Sequence, residues 1–232
     1  MVESAAVAFS LWMRPPFAII PAEVFIMVSS GKMSFPQLVV RLPDWVEECL
    51  SARGGARNPD RIYPTPEDRM RLVIELSRLN VEHETGGPFG AGVFDEAGRL
   101  VAPGVNLVTS GNSSILHAEM VAIALAQQAL GRFDIGLGGA RPHELVASTE
   151  PCAMCFGAVP WSGVTRLVCG ARGEDACAIG FDEGPKLPDW WRALEDRGIA
   201  VARDVLRDEA AEVLRGYVRG GGIIYNSGVP RG

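Results

Sequence analysis

The sequence has no run of eighteen or more consecutive apolar residues and no excess of positive charge. A transmembrane helix requires such a run, so a soluble protein without a membrane partner is expected. The 22 Lys and Arg residues are outnumbered by 28 Asp and Glu residues, which gives a formal net charge of −6. Long nucleic acids bind to basic surfaces that neutralise phosphates, so no long nucleic-acid partner is expected.

Cysteine is scarce, and its pattern does not suit a disulfide framework. The five cysteines are an odd number in a chain of 232 residues, and Cys152 and Cys155 form a CxxC motif. Proteins stabilised mainly by disulfides are much shorter and carry an even number of cysteines. The pattern therefore favours a reducing, cytoplasmic compartment and thiols that bind a metal or act in catalysis.

The length and the 47% content of hydrophobic residues predict one well-buried domain rather than two. In residues 1–32, prolines interrupt the apolar stretches and the basic start of a secretory signal is missing. This segment is predicted to be a poorly ordered leader or an over-long start. Residues 33–64 are predicted to be an irregular N-terminal segment with one candidate short helix, LPDWVEECL at residues 42–50. Residues 65–232 are predicted to be the domain that carries the chemistry.

The order of helices and strands predicts an α/β fold. A capping pattern at Thr65 and apolar residues at helical spacing predict a helix that ends near His83. The next two strands, at residues 89–94 and 99–108, are predicted to form a hairpin. From His117 onward helices and strands alternate, which predicts parallel neighbouring strands with helices on both faces of the sheet.

Two helices in this alternating part are predicted to be buried on most faces. They cover residues 117–130 and 152–162, and both are rich in alanine and aliphatic residues. An irregular acidic stretch is predicted at residues 180–188. A helix, a short strand at 199–205 and an amphipathic helix at 208–219 are predicted to follow it.

Two short runs carry residues that can perform chemistry. The run HAE provides His117 and Glu119, and the run PCxxC provides Cys152 and Cys155. Residues two apart in a helix point about 200° away from each other. His117 and Glu119 can therefore serve one site only if His117 lies at the start of its helix and Glu119 just inside it. We expect the N-termini of two helices to converge on a metal ion.

Three ligands, His117, Cys152 and Cys155, suit one catalytic zinc ion per chain, because such a site keeps its fourth position for water. Bound zinc lowers the pKa of that water toward about 7, and Glu119 is then free to move its proton. A hydrogen-bonded core histidine, a redox pair of cysteines and half of a four-ligand structural site are the alternatives. The sequence contains no second CxxC motif that could complete a structural site.

The combination of HxE and PCxxC resembles the signature of zinc deaminases in the cytidine deaminase superfamily. Softer matches, from GGPFGA at residues 86–91 to the run IGFDEGP that ends at Pro185, are similar to the guanine deaminase branch. This resemblance implies a three-layer α/β/α fold, with a central mixed sheet of about five strands between two layers of helices. It also implies a homodimer or a larger assembly.

For a guanine-type enzyme, the resemblance implies that zinc-bound hydroxide attacks the ring carbon that carries the amino group. The products are xanthine and ammonia. Glu119 would be the catalytic proton shuttle. Glu183 would join it in the site and accept hydrogen bonds from a ring N–H and from the exocyclic amine of the base, since a carboxylate presents two acceptors side by side.

The resemblance also implies further contacts to the base. Asn106 would hydrogen-bond the base, Phe89 and Trp161 would pack against its faces, and Ala118 would offer backbone contacts. Tyr225 would close over the site, either from the same chain or from a partner subunit. The expected partners are thus a small nucleobase, water and a second copy of the chain.

Other functions remain open from the sequence. Cytosine, guanosine, cytidine or an amino-substituted triazine could replace guanine as the substrate. A deaminase of adenosine in transfer RNA shares both motifs, but it needs a positive surface that this acidic chain does not suggest. A zinc-stabilised binding module without catalysis would give Glu119 no role.

Overall fold

The computed structural model describes residues 37–52 and 61–226 of the chain. The predicted leader at residues 1–32 lies outside these ranges. Within them, no helix combines the length and apolar character that a membrane span requires. Every helix and strand described below lies in one compact unit of the chain, Val40–Gly232.

The described residues form helices and strands in a largely alternating order. In chain order these are α1 (Asp44–Ala52), α2 (Pro66–Glu82), β1 (Gly90–Asp95), β2 (Leu100–Val105), α3 (Ala118–Leu130), β3 (His143–Thr149), α4 (Ala153–Ser162), β4 (Arg166–Ala171), α5 (Gly173–Ala178), α6 (Trp190–Glu195), β5 (Ala200–Ala202) and α7 (Arg207–Arg219).

The five strands form one mixed sheet in the order β2-β1-β3-β4-β5. β1 pairs antiparallel with both β2 and β3, whereas β3 with β4 and β4 with β5 are parallel. The predicted hairpin and the predicted parallel strands are therefore confirmed. Because β1 is antiparallel to both of its neighbours, β2 runs in the same direction as β3 and β4. The carboxyl ends of these three strands consequently lie at the same edge of the sheet.

Alternate side chains of the central strands enter two separate cores. Leu145 and Leu167 pack in one core with residues of α3, α4 and α6. Their neighbours Val146 and Val168 pack in the other core with residues of α1, α2 and α7. Since successive side chains of a strand point to opposite faces, the sheet has helices on both sides. The predicted three-layer α/β/α fold with five strands is confirmed.

α2 begins as the capping pattern predicts. The Thr65 hydroxyl accepts the N–H of Asp68 at 3.1 Å, and the Asp68 carboxylate accepts the N–H of Thr65 at 3.3 Å. Two N–H groups at the helix start are thereby satisfied. α2 then packs tightly on β1, because a Cβ atom at Gly90 would lie 2.2 Å from the carbonyl oxygen of Val73. Glycine is therefore required where these two elements meet.

The short helix at residues 42–50 is present as α1, whose Trp45 side chain is buried in the core. The predicted end of one strand is wrong, and one helix was missed. β2 ends at Val105 rather than at residue 108, and the side chain of Asn106 then accepts the N–H of Val108 at 3.2 Å. The sequence also does not predict α5, a helix of only six residues.

The capping box of α2 yields a test of stability. Replacement Thr65→Ala removes the acceptor for the N–H of Asp68, so we expect the free energy of unfolding to fall by about 0.5–2 kcal/mol. Denaturant unfolding measures this change, and Thr65→Ser is the matched control because it keeps the hydroxyl. Equal stability of the Ala and Ser variants would show that the cap contributes nothing.

Candidate functional site

The three predicted metal ligands are brought together by two helix N-termini. His117 is the N-cap of α3, and Cys152 is the N-cap of α4. Neither side chain caps its own helix, so both are available for other partners. Cys155 lies in the first turn of α4 and is buried. The prediction that two helix starts converge is therefore confirmed.

The distances between the ligand atoms fit a zinc ion. Nδ1 of His117 lies 3.5 Å from Sγ of Cys152 and 3.7 Å from Sγ of Cys155. All three ligand atoms lie within 4.8 Å of one another. A tetrahedral zinc ion with ordinary Zn–N and Zn–S bonds separates a nitrogen from a sulfur ligand by about 3.6 Å. One imidazole and two thiols at this spacing are a donor set that zinc prefers.

The thiols are polarised by each other and by the imidazole. A hydrogen bond from Cys155 lowers the pKa of Cys152 to about 4, with a further contribution from His117. The same bond, together with burial, raises the pKa of Cys155. Burial lowers the pKa of His117, but Cys152 and Glu119 raise it by more. Cys152 is thus prepared as a thiolate, which is the form that binds metals.

A cavity of about 230 Å³ has His117 and Cys152 in its wall. It lies at the carboxyl edge of the sheet, because its wall includes Asn106 after β2 and Cys152 after β3. Ligand sites of open α/β sheets lie at this edge. Besides His117 and Cys152, the lining includes five further residues that the sequence predicted for the site, namely Phe89, Asn106, Glu119, Glu183 and Tyr225.

Glu119 is a buried carboxylate in this wall. It lies in the first turn of α3 and is only 7% exposed. Burial raises the pKa of Glu119, and the nearby Cys152 raises it further. A carboxyl group whose pKa is raised toward neutrality can both accept and donate a proton, as a proton shuttle must.

Glu183 joins the cavity from the loop between α5 and α6. Its backbone carbonyl accepts the N–H of Ala153 at 2.8 Å, which attaches this loop to the first turn of α4. Its carboxylate lies 3.2 Å from Nζ of Lys186, and Lys186 also donates to the carbonyl of Pro151 at 2.9 Å. Burial raises the pKa of Glu183 to about 7, and Lys186 opposes this rise.

Three polar atoms in the cavity residues have no hydrogen-bond partner among the described residues. They are Nδ2 of Asn106, Oγ1 of Thr149 and the hydroxyl of Tyr225, and all three are buried. Buried polar groups without partners are rare in folded proteins, so they indicate a place where a ligand or water binds. The Tyr225 ring reaches the cavity from the same chain and packs edge-on against Phe181 at 5.1 Å.

The structure does not bring two predicted substrate residues into the cavity. Trp161 is 84% exposed and lines a separate surface depression with Pro160 and Arg197. It lies six residues after Cys155, which is about 240° around the helix, so it points away from the ligands. Ala118 is buried in the core, and its carbonyl faces Gly104 of β2. Within one chain, the structure therefore places Trp161 away from the cavity, and the backbone contacts of Ala118 stay a prediction.

Sequence reasoning missed other residues that shape the site. Phe181 lines the cavity and packs against both Phe89 and Tyr225. Lys186 contacts Glu183, and Asn80 holds the backbone of Asn106 from α2. Phe181 lies within the run IGFDEGP and Lys186 follows it directly, so that run was a usable signal for both. No local pattern marks Asn80.

Comparison with known proteins places this site in a family. The model of the cytidine and deoxycytidylate deaminase zinc-binding region matches residues 64–171. Guanine deaminase of Bacillus subtilis (strain 168) is 34% identical over 133 residues, which are 57% of this chain and 81% of that protein.

Solved structures agree with this match. The structure of guanine deaminase from Nitrosomonas europaea is 46% identical, with a TM-score of 0.71, and the alignment covers 78% of this chain and 96% of that one. A structure of NE0047 in complex with 2,6-diaminopurine is 46% identical, with a TM-score of 0.74, and the alignment covers 82% of this chain and 97% of that one. With the same fold and a zinc-compatible donor set, this chain belongs to the cytidine and deoxycytidylate deaminase family of zinc-dependent aminohydrolases.

Proposed function

We propose that this enzyme hydrolyses guanine to xanthine and ammonia with one zinc ion per chain. The observation that carries the proposal is that His117 and Cys152 of a zinc-compatible donor set line one cavity together with the buried Glu119 and the acceptor Glu183. The similar proteins named as guanine deaminases support the choice of substrate. The cavity of about 230 Å³ is smaller than the roughly 300–1,000 Å³ of pockets for drug-sized ligands, which suits a free base.

His117, Cys152 and Cys155 would hold the zinc ion, which when bound acts as a Lewis acid and activates a water molecule. Glu119 accepts one proton from the attacking water and passes it to a ring nitrogen as the C–O bond forms. It then takes the second water proton from the hydroxyl on the ring carbon and passes it to the amine, which leaves as ammonia when the C–N bond breaks. One water enters and one ammonia leaves, so the reaction needs no other reactant. The burial of Glu119 keeps this proton away from bulk solvent.

Glu183 would select guanine by its edge. Guanine presents a ring N–H next to an exocyclic amine, and a carboxylate offers two acceptors side by side to such a pair of donors. Cytosine and adenine lack this edge. Nδ2 of Asn106, which has no partner among the described residues, would donate to an acceptor on the base. The rings of Phe89, Phe181 and Tyr225 supply the apolar part of the wall.

The assembly and the cellular location stay predictions of the sequence. A homodimer and a cytoplasmic enzyme are what the resemblance and the cysteine content indicate, and no contact between subunits enters the proposal. The acidic composition also favours a small substrate over transfer RNA, because the chain has 28 acidic against 22 basic residues.

The substrate can be tested with the zinc-loaded enzyme. We expect ammonia release with guanine and little or none with cytosine, adenine or cytidine, because these lack the edge that Glu183 accepts. Guanosine is included because it carries the same edge together with a ribose. Turnover of cytosine or adenine without turnover of guanine would overturn the assignment.

Replacement Glu119→Gln tests the proton shuttle. Because glutamine cannot accept the proton of the attacking water, we expect kcat to fall by about 10²- to 10⁴-fold. Steady-state kinetics measures the loss, and metal analysis is the control, since Glu119 is not needed as a ligand. A variant with full zinc content and unchanged kcat would be incompatible with the proposed role.

Replacement Glu183→Gln tests recognition of the base. It exchanges one acceptor for an amide donor and leaves an N–H of guanine without a partner, so we expect kcat/KM for guanine to fall by about 10- to 100-fold. The control is Glu174→Gln, which changes an exposed carboxylate that pairs with Arg172 outside the cavity. If both variants had the same kcat/KM, Glu183 would not read the base.

A further inference from the structure

The buried side-chain amide of Asn80 binds the backbone of Gly87 and of Asn106. Asn80, in the last turn of α2, is 0% exposed. Its Nδ2 donates to the carbonyl of Gly87 at 2.9 Å and to the carbonyl of Asn106 at 2.8 Å. Its Oδ1 accepts the hydroxyl of Thr85 at 2.7 Å. All hydrogens of this amide and one lone pair are thereby used.

Two backbone N–H groups determine how the side-chain amide of Asn106 is oriented. Oδ1 of Asn106 accepts the N–H of Val108 at 3.2 Å and, more weakly, the N–H of Gly87 at 3.4 Å. Since backbone N–H groups can only donate, the oxygen of the amide must face them and the NH₂ group must face the other way. Nδ2 is therefore the end that is left without a partner among the described residues, and Asn106 lines the cavity.

We propose that Asn80 is a positioning residue for base recognition, which holds Gly87 and Asn106 so that the Asn106 amide presents its donor to the substrate. This inference rests on the proposed function, because it assumes that Asn106 contacts the base. It gives a reason for a fully buried amide on a helix that itself contributes nothing to the lining of the cavity.

The surroundings of Asn80 leave no room for another arrangement. A Cβ atom at Gly86 would lie 1.8 Å from the carbonyl oxygen of Asn106 and 2.8 Å from Nδ2 of Asn80. The backbone at Gly86 therefore packs directly against the hydrogen bonds that Asn80 makes to Gly87, Asn106 and Thr85, which we call the Asn80 clamp. Two carbonyl acceptors and one hydroxyl donor around one side chain require an NH₂ group and an oxygen, which asparagine supplies at this length.

The clamp also connects the cavity with α1. The hydroxyl of Thr85 accepts Nε1–H of Trp45 at 3.1 Å, and the Trp45 ring stacks on His83 at 5.2 Å. α1 lies outside residues 64–171, which the family model matches. α1 therefore supports the substrate site through Thr85 and Asn80.

Replacement Asn80→Asp tests the inference in the zinc-loaded enzyme. Aspartate keeps the shape but loses both donors, so Gly87 and Asn106 are released and KM for guanine should rise about 10-fold or more, with a smaller change in kcat and with full zinc content. Ser77→Ala is the matched control, since Ser77 is buried on the same helix and its hydroxyl has no partner among the described residues. A KM equal to that of this control would overturn the proposal.

A double-mutant cycle separates positioning from general stability. In the Asn106→Ala background, Asn80→Asp should change KM no further, because Asn80 acts through Asn106. Additive effects would mean that Asn80 only stabilises the fold. If Asn80→Asp does not fold, Thr85→Val takes its place in the cycle, because it removes the hydroxyl that orients the Asn80 amide while keeping the side-chain shape.

Hydrogen exchange distinguishes failure of this inference from failure of the proposed function. If the wild-type enzyme does not turn over guanine, the proposed function fails, but the clamp is still measurable without substrate. The amides of Gly87 and Val108 should exchange faster in Asn80→Asp than in Ser77→Ala. Equal exchange at these two amides would overturn the clamp whatever the substrate is.

Discussion

The convergence of the N-termini of α3 and α4 on three ligand atoms is the constraint on which the rest of the site depends. It follows from the sheet, because β2 and β3 run in the same direction and the chain leaves both at one edge. His117 and Cys152 are N-caps whose side chains make no capping hydrogen bond to their own helices, so these side chains can bind the metal. The positive ends of both helix dipoles also favour thiolate and carboxylate at this point.

The two acidic residues of the cavity, Glu119 and Glu183, have different surroundings. Glu119 lies inside the first turn of a buried helix, and its nearest charged neighbours are the metal ligands. Glu183 instead has Lys186 as a partner, which opposes the effect of burial on its pKa. Burial thus raises the pKa of both carboxyl groups, but only Glu183 has a cation beside it that favours its acceptor form.

The residues that the sequence predicted well are those whose roles follow from local spacing. HAE and PCxxC lie at helix starts, so the ligands and Glu119 could be placed from the chain alone, and the alternation of helices and strands predicted the layers. Trp161 was misplaced because its position around α4 turns it away from the cavity. Asn80 was missed because its contact with Asn106 spans 26 residues and depends on how α2 packs on the sheet.

Because Ala153 donates its N–H to the carbonyl of Glu183, the loop at Glu183 both supports α4 and carries the side chain proposed to bind the base. The loop that would read the base also satisfies an N–H group in the first turn of the helix that follows Cys152 and contains Cys155. An insertion or deletion in this loop would expose that N–H and disturb the sulfur ligands as well. New substrate preferences are therefore more accessible to evolution by exchanging the side chain at position 183 than by remodelling the loop around it.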